Sequence, residues 1–517
     1  MKKVSILWTD DEIDLLNAHI IFLEAKGFEL STASNGDDAI EMVKKHDFDL
    51  IFLDENMPGL SGLQTLTFIK EIKPDIPVIM ITKSEEEDIM EQAIGSKIAD
   101  YLIKPVNPKQ ILLSIKKNID TKRLISEKAM SDYQSEFGKI GLKISDVNSF
   151  NGWVELYKKL VYWELELEQN EQTGMQEVFQ MQKSDANKEF AKFIKNNYES
   201  WFADSEDKPM MSPNLFKERI FPMLDKGEKV FVLVIDNFRY DQWKLIQPLI
   251  NEYFTVESEE LYCSILPTAT QYARNAIFAG LMPYEIDKLY PEYWLNDEED
   301  GGKNMKEEEL LQTQLSRHGK SYKFFYEKIS QLKTGEKLVE NIKDLLNNQL
   351  NVLVYNYIDM LSHARTEIEM IRELANDEPA YRSLTLSWFK HSPLFTLIKE
   401  LKSHDVKIII TTDHGTVRVK NPVKVIGDKN TSTNLRYKNG RNLNYNPKEV
   451  FEIRDPQKVH LPKSHLSTSY IFAINDDFLA YPNNFNYYVS YYKDTFQHGG
   501  VSLEEMIIPF VKLKPNN

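Results

Sequence analysis

Asp413 and His414, followed by Gly415, set a hard carboxylate ligand beside a borderline imidazole at the end of the run Lys407-Ile408-Ile409-Ile410-Thr411-Thr412. Such a pair suits a divalent metal, zinc before others. Alone, the motif reads more readily as a plain strand-ending turn. Partners of the same kind recur along the chain. Asp236 closes the apolar run Val230–Ile235, and Asp359 closes Asn351–Ile358 with His363 four residues on. His498 precedes Gly499 and Gly500. Together these are three carboxylates and three imidazoles, too many for one tetrahedral ion and suited to two cations sharing a site. Thr270, in Pro267-Thr268-Ala269-Thr270, opens a helical stretch over Tyr272–Leu281. At a helix N-terminus, free amides and the macrodipole favour an oxyanion or phosphate. Taken singly, His498 reads as a surface histidine and Thr270 as a helix cap; the joint pattern, in sheet order, carries the chemistry.

A second group is made of oxygen ligands alone. Asp10 and Asp11 follow the run Val4–Trp8, and Asp54 ends Leu50–Asp54. Thr82 and Lys104 end two further runs. Carboxylates gathered at one sheet edge repel unless a cation joins them, and oxygen donors suit magnesium. The lysine can pair with an added phosphoryl group, and the threonine hydroxyl can donate to it.

The elements needed to position these groups are legible as alternating strands and helices. Strands are predicted over Val4–Trp8, Glu29–Ala33, Leu50–Asp54, Val78–Thr82 and Ile98–Ile103. Helices are predicted near Glu12–Ala25, Asp37–His46, Leu63–Ile72, Glu85–Gly95 and Pro108–Ile119. That alternation implies a parallel sheet covered on both faces. The last helix reads on through Lys122–Met130. Phe150, Trp153, Leu156, Tyr157, Leu160, Val161 and Trp163 then repeat at helical spacing, as do Phe190, Phe193, Ile194, Tyr198 and Trp201. These aromatic stripes read as the core of a small helical bundle, bounded by the polar stretch Asp204–Pro213. The strands Val230–Ile235, Asn351–Ile358 and Lys407–Thr411 belong to a second α/β domain. Gly280–Leu350 reads as a cap or helical insertion, its acidic runs Asp297–Asp300 and Glu307–Glu309 as solvated loops. The basic stretch Arg418, Lys420, Lys424, Lys429, Arg436, Lys438 and Arg441 reads either as a surface loop or as a lid over an anionic substrate.

The first segment resembles the response-regulator receiver domain, in Asp10-Asp11-Glu12, Asp54-Glu55-Asn56-Met57-Pro58-Gly59, Thr82 and Tyr101-Leu102-Ile103-Lys104-Pro105. The resemblance implies a CheY-like, flavodoxin-like fold with Asp54 as phosphoacceptor. Asp10 and Asp11 would hold Mg2+, Thr82 and Lys104 would read the phosphoryl group, and Tyr101 would be the switching aromatic. The C-terminal segment resembles the alkaline phosphatase superfamily, most closely its PglZ-type branch. The matching motifs are Ile235-Asp236, Pro267-Thr268-Ala269-Thr270, Asp359 with His363, Asp413-His414-Gly415 and His498-Gly499. This resemblance implies two Zn2+ ions, one on Asp236, Asp413, His414 and the Thr270 oxygen, the other on Asp359, His363 and His498. Thr270 would be the nucleophile, Thr268 being the alternative within the pair.

The formal net charge of −16 argues against a broad duplex-DNA-binding surface, and no helix-turn-helix signature appears. No apolar run approaches the roughly 18–20 residues needed to span a bilayer. The one cysteine, Cys263, excludes an intrachain disulfide, and a cytoplasmic location is expected. The expected organisation is a receiver over residues 1–120, a helical-bundle connector over 121–208 and a PglZ-type α/β domain over 209–517. That order resembles the PorX-like response regulators of the type IX secretion system. The resemblance implies a partner sensor histidine kinase, a phosphorylation-linked homodimer, and contact with an extracytoplasmic-function sigma factor or a secretion component. The function it implies is a zinc-dependent phosphodiesterase acting on oligonucleotides or cyclic nucleotides. The alternative is a catalytically silent signalling adaptor that uses the metal domain for docking.

Overall fold

The computed structural model describes residues 4–83, 98–169, 173–203, 207–297, 299, 301–428, 431–483 and 485–516. The chain divides into two compact units, Met1–Tyr133 and Gln134–Asn517. Among the described residues no helix is long and apolar enough to cross a membrane.

The first unit is built on β1 (Ser5–Thr9), β2 (Glu29–Ala33), β3 (Leu50–Asp54), β4 (Val78–Thr82) and β5 (Asp100–Ile103). They pair in parallel in the order β2-β1-β3-β4-β5, the flavodoxin-like receiver arrangement. Alternation along each strand divides the core between two faces. Leu7, Ile51, Leu53, Val78 and Met80 pack with Val43, Leu66 and Ile69 on one face. Ile6, Trp8, Leu50, Phe52, Ile79 and Ile81 pack with Leu23, Ile111 and Ile115 on the other. The helix Gly62–Ile72 starts at a reciprocal capping box, Ser61 with Gln64. The predicted helix Glu85–Gly95 lies outside the described residues.

The chain passes into the second unit along the helix Pro108–Asp146, followed by the helices Phe150–Gln169 and Thr173–Asn197. Their aromatic stripes form core. Trp153 meets Phe190 at 5.4 Å between ring centroids, and Tyr198 meets Trp201 at 5.7 Å. From residue 134 on, these helices belong to the same compact unit as the C-terminal domain. A buried ionic network joins them. Lys183 Nζ lies 2.8 Å from Glu164 and 3.0 Å from Glu504, and Arg382 bridges Glu164 at 3.1 Å and Asp241 at 2.9 Å.

The C-terminal domain is mixed α/β. Its main sheet contains β6 (Val230–Ile235), β7 (Phe254–Cys263), β8 (Phe324–Ile329), β9 (Leu350–Tyr355), β10 (Lys407–Thr411) and the C-terminal strand Ile507–Pro515. The spatial order is β7, C-terminal strand, β10, β6, β9, β8. Strands β10, β6, β9 and β8 are parallel, and the C-terminal strand runs antiparallel between β10 and β7. β6 and β9 are buried along their whole length, as their unbroken apolar runs demand.

Three readings of this region need correction. The segment 280–350 is not merely a cap: Phe324–Ile329 pairs with β9 and forms the sheet edge. The acidic runs are not simply solvated. Glu307 is buried, and Asp297 accepts hydrogen bonds from the hydroxyls of Tyr272 and Tyr437 at 2.9 and 3.1 Å. Nor is the basic stretch an open lid. Arg436 and Lys438 are buried, Arg436 pairing with Glu505, while Arg418 pairs with Asp494 and Lys420 with Asp476. Lys429 lies outside the described residues.

Candidate functional sites

In the first unit, the carboxyl ends of β1 and β3 bring Asp10, Asp11 and Asp54 together, with one carboxylate oxygen of each within 4.8 Å of the others. Asp10 and Asp54 are buried and Asp11 is exposed. Lys104 bridges the two buried acids, at 2.8 Å from Asp10 and 3.1 Å from Asp54. Burial pushes the Asp54 carboxyl up to about 6, although Lys104 pulls the other way. Thr82, buried at the end of β4, accepts at its carbonyl from the Lys104 amide at 2.7 Å. Tyr101 sits on β5 in register with Met80. An acidic, oxygen-only pocket of this kind is typical of Mg2+.

In the second unit, the parallel strands bring the dispersed ligand types to one sheet edge. Asp236 follows β6 directly, and Asp413 and His414 follow β10. Asp359 and His363 are not at a strand end: β9 stops at Tyr355, and both residues lie one turn apart on the helix Tyr357–Glu367. The side chains form two clusters, Asp236 with Asp413 and His414, and Asp359 with His363 and His498. Within each, the candidate ligand atoms lie within 4.8 Å of one another. The clusters adjoin, since the rings of His414 and His498 stack at 4.2 Å.

Backbone carbonyls orient both imidazoles. His414 Nδ1 lies 3.1 Å from the Gly415 carbonyl and His498 Nδ1 lies 3.2 Å from that of Thr268. Each Nδ1–H can donate there, leaving Nε2 with a free lone pair toward the cluster. Gly415 has no substitute, because a Cβ would stand 2.0 Å from the Glu504 carbonyl oxygen. Burial lowers His414 to about 3 and lifts Asp236 to about 7. Burial alone would also depress His498, but the Asp359 carboxylate outweighs it and raises the value. Asp413 Oδ2 and Asp359 Oδ1 are buried without a hydrogen-bond donor. Unsatisfied carboxylate oxygens beside imidazole nitrogens are the donor set that a divalent cation fits.

The two threonines of the 267–270 motif face different ways. Thr268 is buried, its hydroxyl donating to the Gly500 carbonyl at 2.9 Å and accepting from the Gly499 amide at 3.1 Å. Thr270 is the first residue of the helix Thr270–Ala279. Its Oγ1 lies 3.1 Å from His414 Nε2 and 3.4 Å from Asp236 Oδ1.

Arg274 and Glu307 belong to this site and went unrecognised in the sequence. Arg274 is fully buried one turn beyond Thr270, with Nη1 2.7 Å from Asp236 Oδ2 and 3.7 Å from Asp413 Oδ2. Its Nε pairs with Glu307 at 2.7 Å. The available signal for Arg274 was its spacing of four from Thr270 on one helix. Glu307 carried none, being the first of three glutamates in a run.

Fold and sites together define a response regulator: a receiver joined through a helical linker to an alkaline-phosphatase-like output domain. The chain belongs to the family described as the BREX system PglZ alkaline phosphatase-like domain, which matches residues 215–513. Residues 123–202 match the PorX response regulator linker domain and residues 6–116 the response regulator receiver domain, giving a PorX-like architecture. Among curated proteins, the transcriptional regulatory protein ZraR of Klebsiella oxytoca is 31% identical over 27% of this chain and 32% of its own length. ResD of Bacillus subtilis is 34% identical over 22% of this chain and 47% of its own. The chain thus spans about a third to a half of the length of these relatives. Among solved structures, a CheY-like receiver domain from Methanospirillum hungatei is 25% identical, with a TM-score of 0.23, over 23% of this chain and 96% of that one. A receiver domain implies a cognate histidine kinase.

Proposed function

We propose that the C-terminal domain is a metal-dependent phosphodiesterase whose activity is set by phosphorylation of Asp54. The observation that carries this reading is the position of Thr270 Oγ1, beside both Asp236 and His414 at a helix N-terminus. A scaffold needs ligands but no aimed hydroxyl. Asp236, Asp413 and His414 would hold one divalent cation, zinc by donor type, with Asp359, His363 and His498 holding the second. Such ions supply Lewis acidity and neutralise charge gathering on phosphoryl oxygens. Thr270 Oγ1 attacks phosphorus, the bond to the leaving alcohol breaks, and water later hydrolyses the threonyl phosphoester. Thr268 cannot serve, because its hydroxyl is committed to the Gly499–Gly500 backbone. Oligonucleotides or cyclic nucleotides are the proposed substrates, on the strength of the PglZ resemblance.

In the receiver, Asp10 and Asp11 would hold Mg2+ while Asp54 accepts the phosphoryl group from a sensor kinase. Lys104 would leave Asp54 for the phosphoryl oxygens, Thr82 would donate to them, and Tyr101 would repack. A phosphorylation-linked homodimer acting in type IX secretion, with a sigma factor or secretion component as partner, completes the proposal.

The test is metal analysis with turnover of a chromogenic phosphodiester, on wild type and Thr270→Ala. The proposal expects about two zinc ions per chain in both proteins and a loss of turnover of about a thousandfold or more in the variant. Bound metal with no turnover of mono- or diesters, even after phosphorylation, would replace it with a metal-stabilised docking domain.

A further inference from the structure

The two metal-ligand clusters differ in formal charge. Asp236 and Asp413 bring two carboxylates to one, while Asp359 brings a single carboxylate to the other. Only the first has a guanidinium against it among the described residues. Arg274 is wholly buried and cannot reach into solvent toward a substrate. Its Nη1 touches Asp236 Oδ2, the carboxylate oxygen opposite the one that faces Thr270. It is also fixed from behind. Glu307 takes its Nε, and Glu307 is itself held by the hydroxyl of Tyr326 and by Asn304 Nδ2, with Lys328 Nζ at 3.6 Å. The guanidinium therefore cannot swing away when another cation enters.

We propose that Arg274 is a resident cation of the Asp236–Asp413–His414 cluster, holding the two carboxylates together without metal and lowering the affinity with which that cluster takes a divalent ion. The inference rests on the metal-binding reading above. Its physical basis is charge. With Arg274, the first cluster carries the same net charge as the second, so neither outcompetes the other by a full charge. Without it, two buried carboxylates face each other unscreened, which destabilises the empty site and strengthens its hold on any divalent cation. Glu307 tempers the effect, because its carboxylate offsets part of the guanidinium charge. Arg274 is thus a positioning residue, acting through Asp236 and Asp413.

The experiment titrates metal-free full-length chain with Zn2+ against a chromophoric chelator, in a His363→Ala background that removes one ligand from the second cluster. Arg274→Met/Glu307→Gln removes the cation and its buried partner together. It is expected to bind Zn2+ about tenfold or more tightly than the background protein, and to melt lower when metal-free. Glu307→Gln alone leaves the guanidinium less compensated and is expected to weaken Zn2+ binding severalfold. Arg274→Lys keeps the charge and is expected to stay within about threefold of the background. The opposite signs of the first two variants keep the test decisive if one of them fails to fold. Equal or weaker binding in the double variant, or tighter binding in Glu307→Gln, overturns the inference. If the unsubstituted chain binds no Zn2+ at all, the metal reading falls with it; if it binds Zn2+ and the variants leave affinity unmoved, only the role of Arg274 is lost.

Discussion

The receiver pocket and the Asp236–Asp413–His414 cluster solve one electrostatic problem in two ways. Each gathers two buried carboxylates at the carboxyl ends of parallel strands, and each sets a basic side chain between them. In the receiver that side chain is Lys104, partly exposed, on a flexible stem, with Asp10 and Asp54 as its ion-pair partners among the described residues. In the C-terminal domain it is Arg274, fully buried and pinned by Glu307. A lysine is a compact charge that can change partners, whereas an arginine fork braced on two sides is fixed. On the proposed function, the difference matches what each site would have to do. Asp54 would have to release its counterion on phosphorylation, while Asp236 and Asp413 would have to keep one geometry throughout.

The strongest way to break this comparison is to neutralise one acid in each site. If the proposed function holds, Asp413→Asn should remove about one metal per chain and cut phosphodiester turnover by about a thousandfold or more, because it would take away a permanent ligand. Asp54→Asn should leave zinc content and unphosphorylated turnover unchanged while abolishing phosphate incorporation from acetyl phosphate. Metal analysis, turnover and incorporation are the readouts. Turnover that survived Asp413→Asn would mean that the two acidic sites are not divided into a permanent and a modifiable one.

The two sites also differed in how far the sequence disclosed them. Asp10, Asp54, Asp236 and Asp413 stand at or just after the ends of apolar strands, and His414 and His498 stand beside a glycine, so local pattern singled them out; His363 was reached only through its spacing of four from Asp359. What stayed hidden were the counter-charges. Arg274 lies inside a helix whose polar residues look unremarkable, and Glu307 sits in a glutamate run whose ordinary meaning is solvent. Their burial comes from tertiary packing: the edge strand β8 brings Tyr326 and Lys328 to Glu307, and no local pattern reports that pairing. The same holds for the basic stretch, where Arg436 is consumed by Glu505 across 69 positions of sequence. Asp359 shows a milder version, its strand and helix being contiguous in apolar pattern but separated at Asn356.

A smaller effect follows from removing the receiver's counterion, Lys104. Lys104→Met leaves Asp10 and Asp54 facing each other and should cost the receiver about 2–3 kcal/mol in chelator, less than a wholly buried pair because Lys104 is partly exposed. Millimolar Mg2+ should restore most of that, since it substitutes for the missing charge. Thermal unfolding of the full chain with and without Mg2+ measures both. A variant as stable as wild type in chelator would show that Lys104 does not relieve the repulsion.

The finest test uses pH. Burial holds the Asp54 carboxyl at about 6 in the folded chain, against an ordinary value of 3.8. A raised acid favours the native state in its protonated form, so its ionisation is a penalty on folding that is complete above pH 6. The penalty lifts as pH falls through 6 toward 3.8, below which both states are protonated and nothing more is gained. That rise corresponds to under about 3 kcal/mol, and because the charges of Asp10 and Asp11 contribute to it beside burial, about 1–2 kcal/mol is expected. Hydrogen exchange on peptides spanning Leu50–Asp54 reads this locally, with Asp54→Asn as the reference that cannot titrate. Without metal, the variant should be better protected than wild type at pH 7.5, the gap should shrink to about half by about pH 5, and it should close only below the ordinary carboxylate value of 3.8. Adding Mg2+ at pH 7.5 should close it as well, because the ion takes up the charge that protonation would remove. A gap that ignored both pH and Mg2+ would place the tension elsewhere than on Asp54, and with it would go the reason for a counterion that can let go.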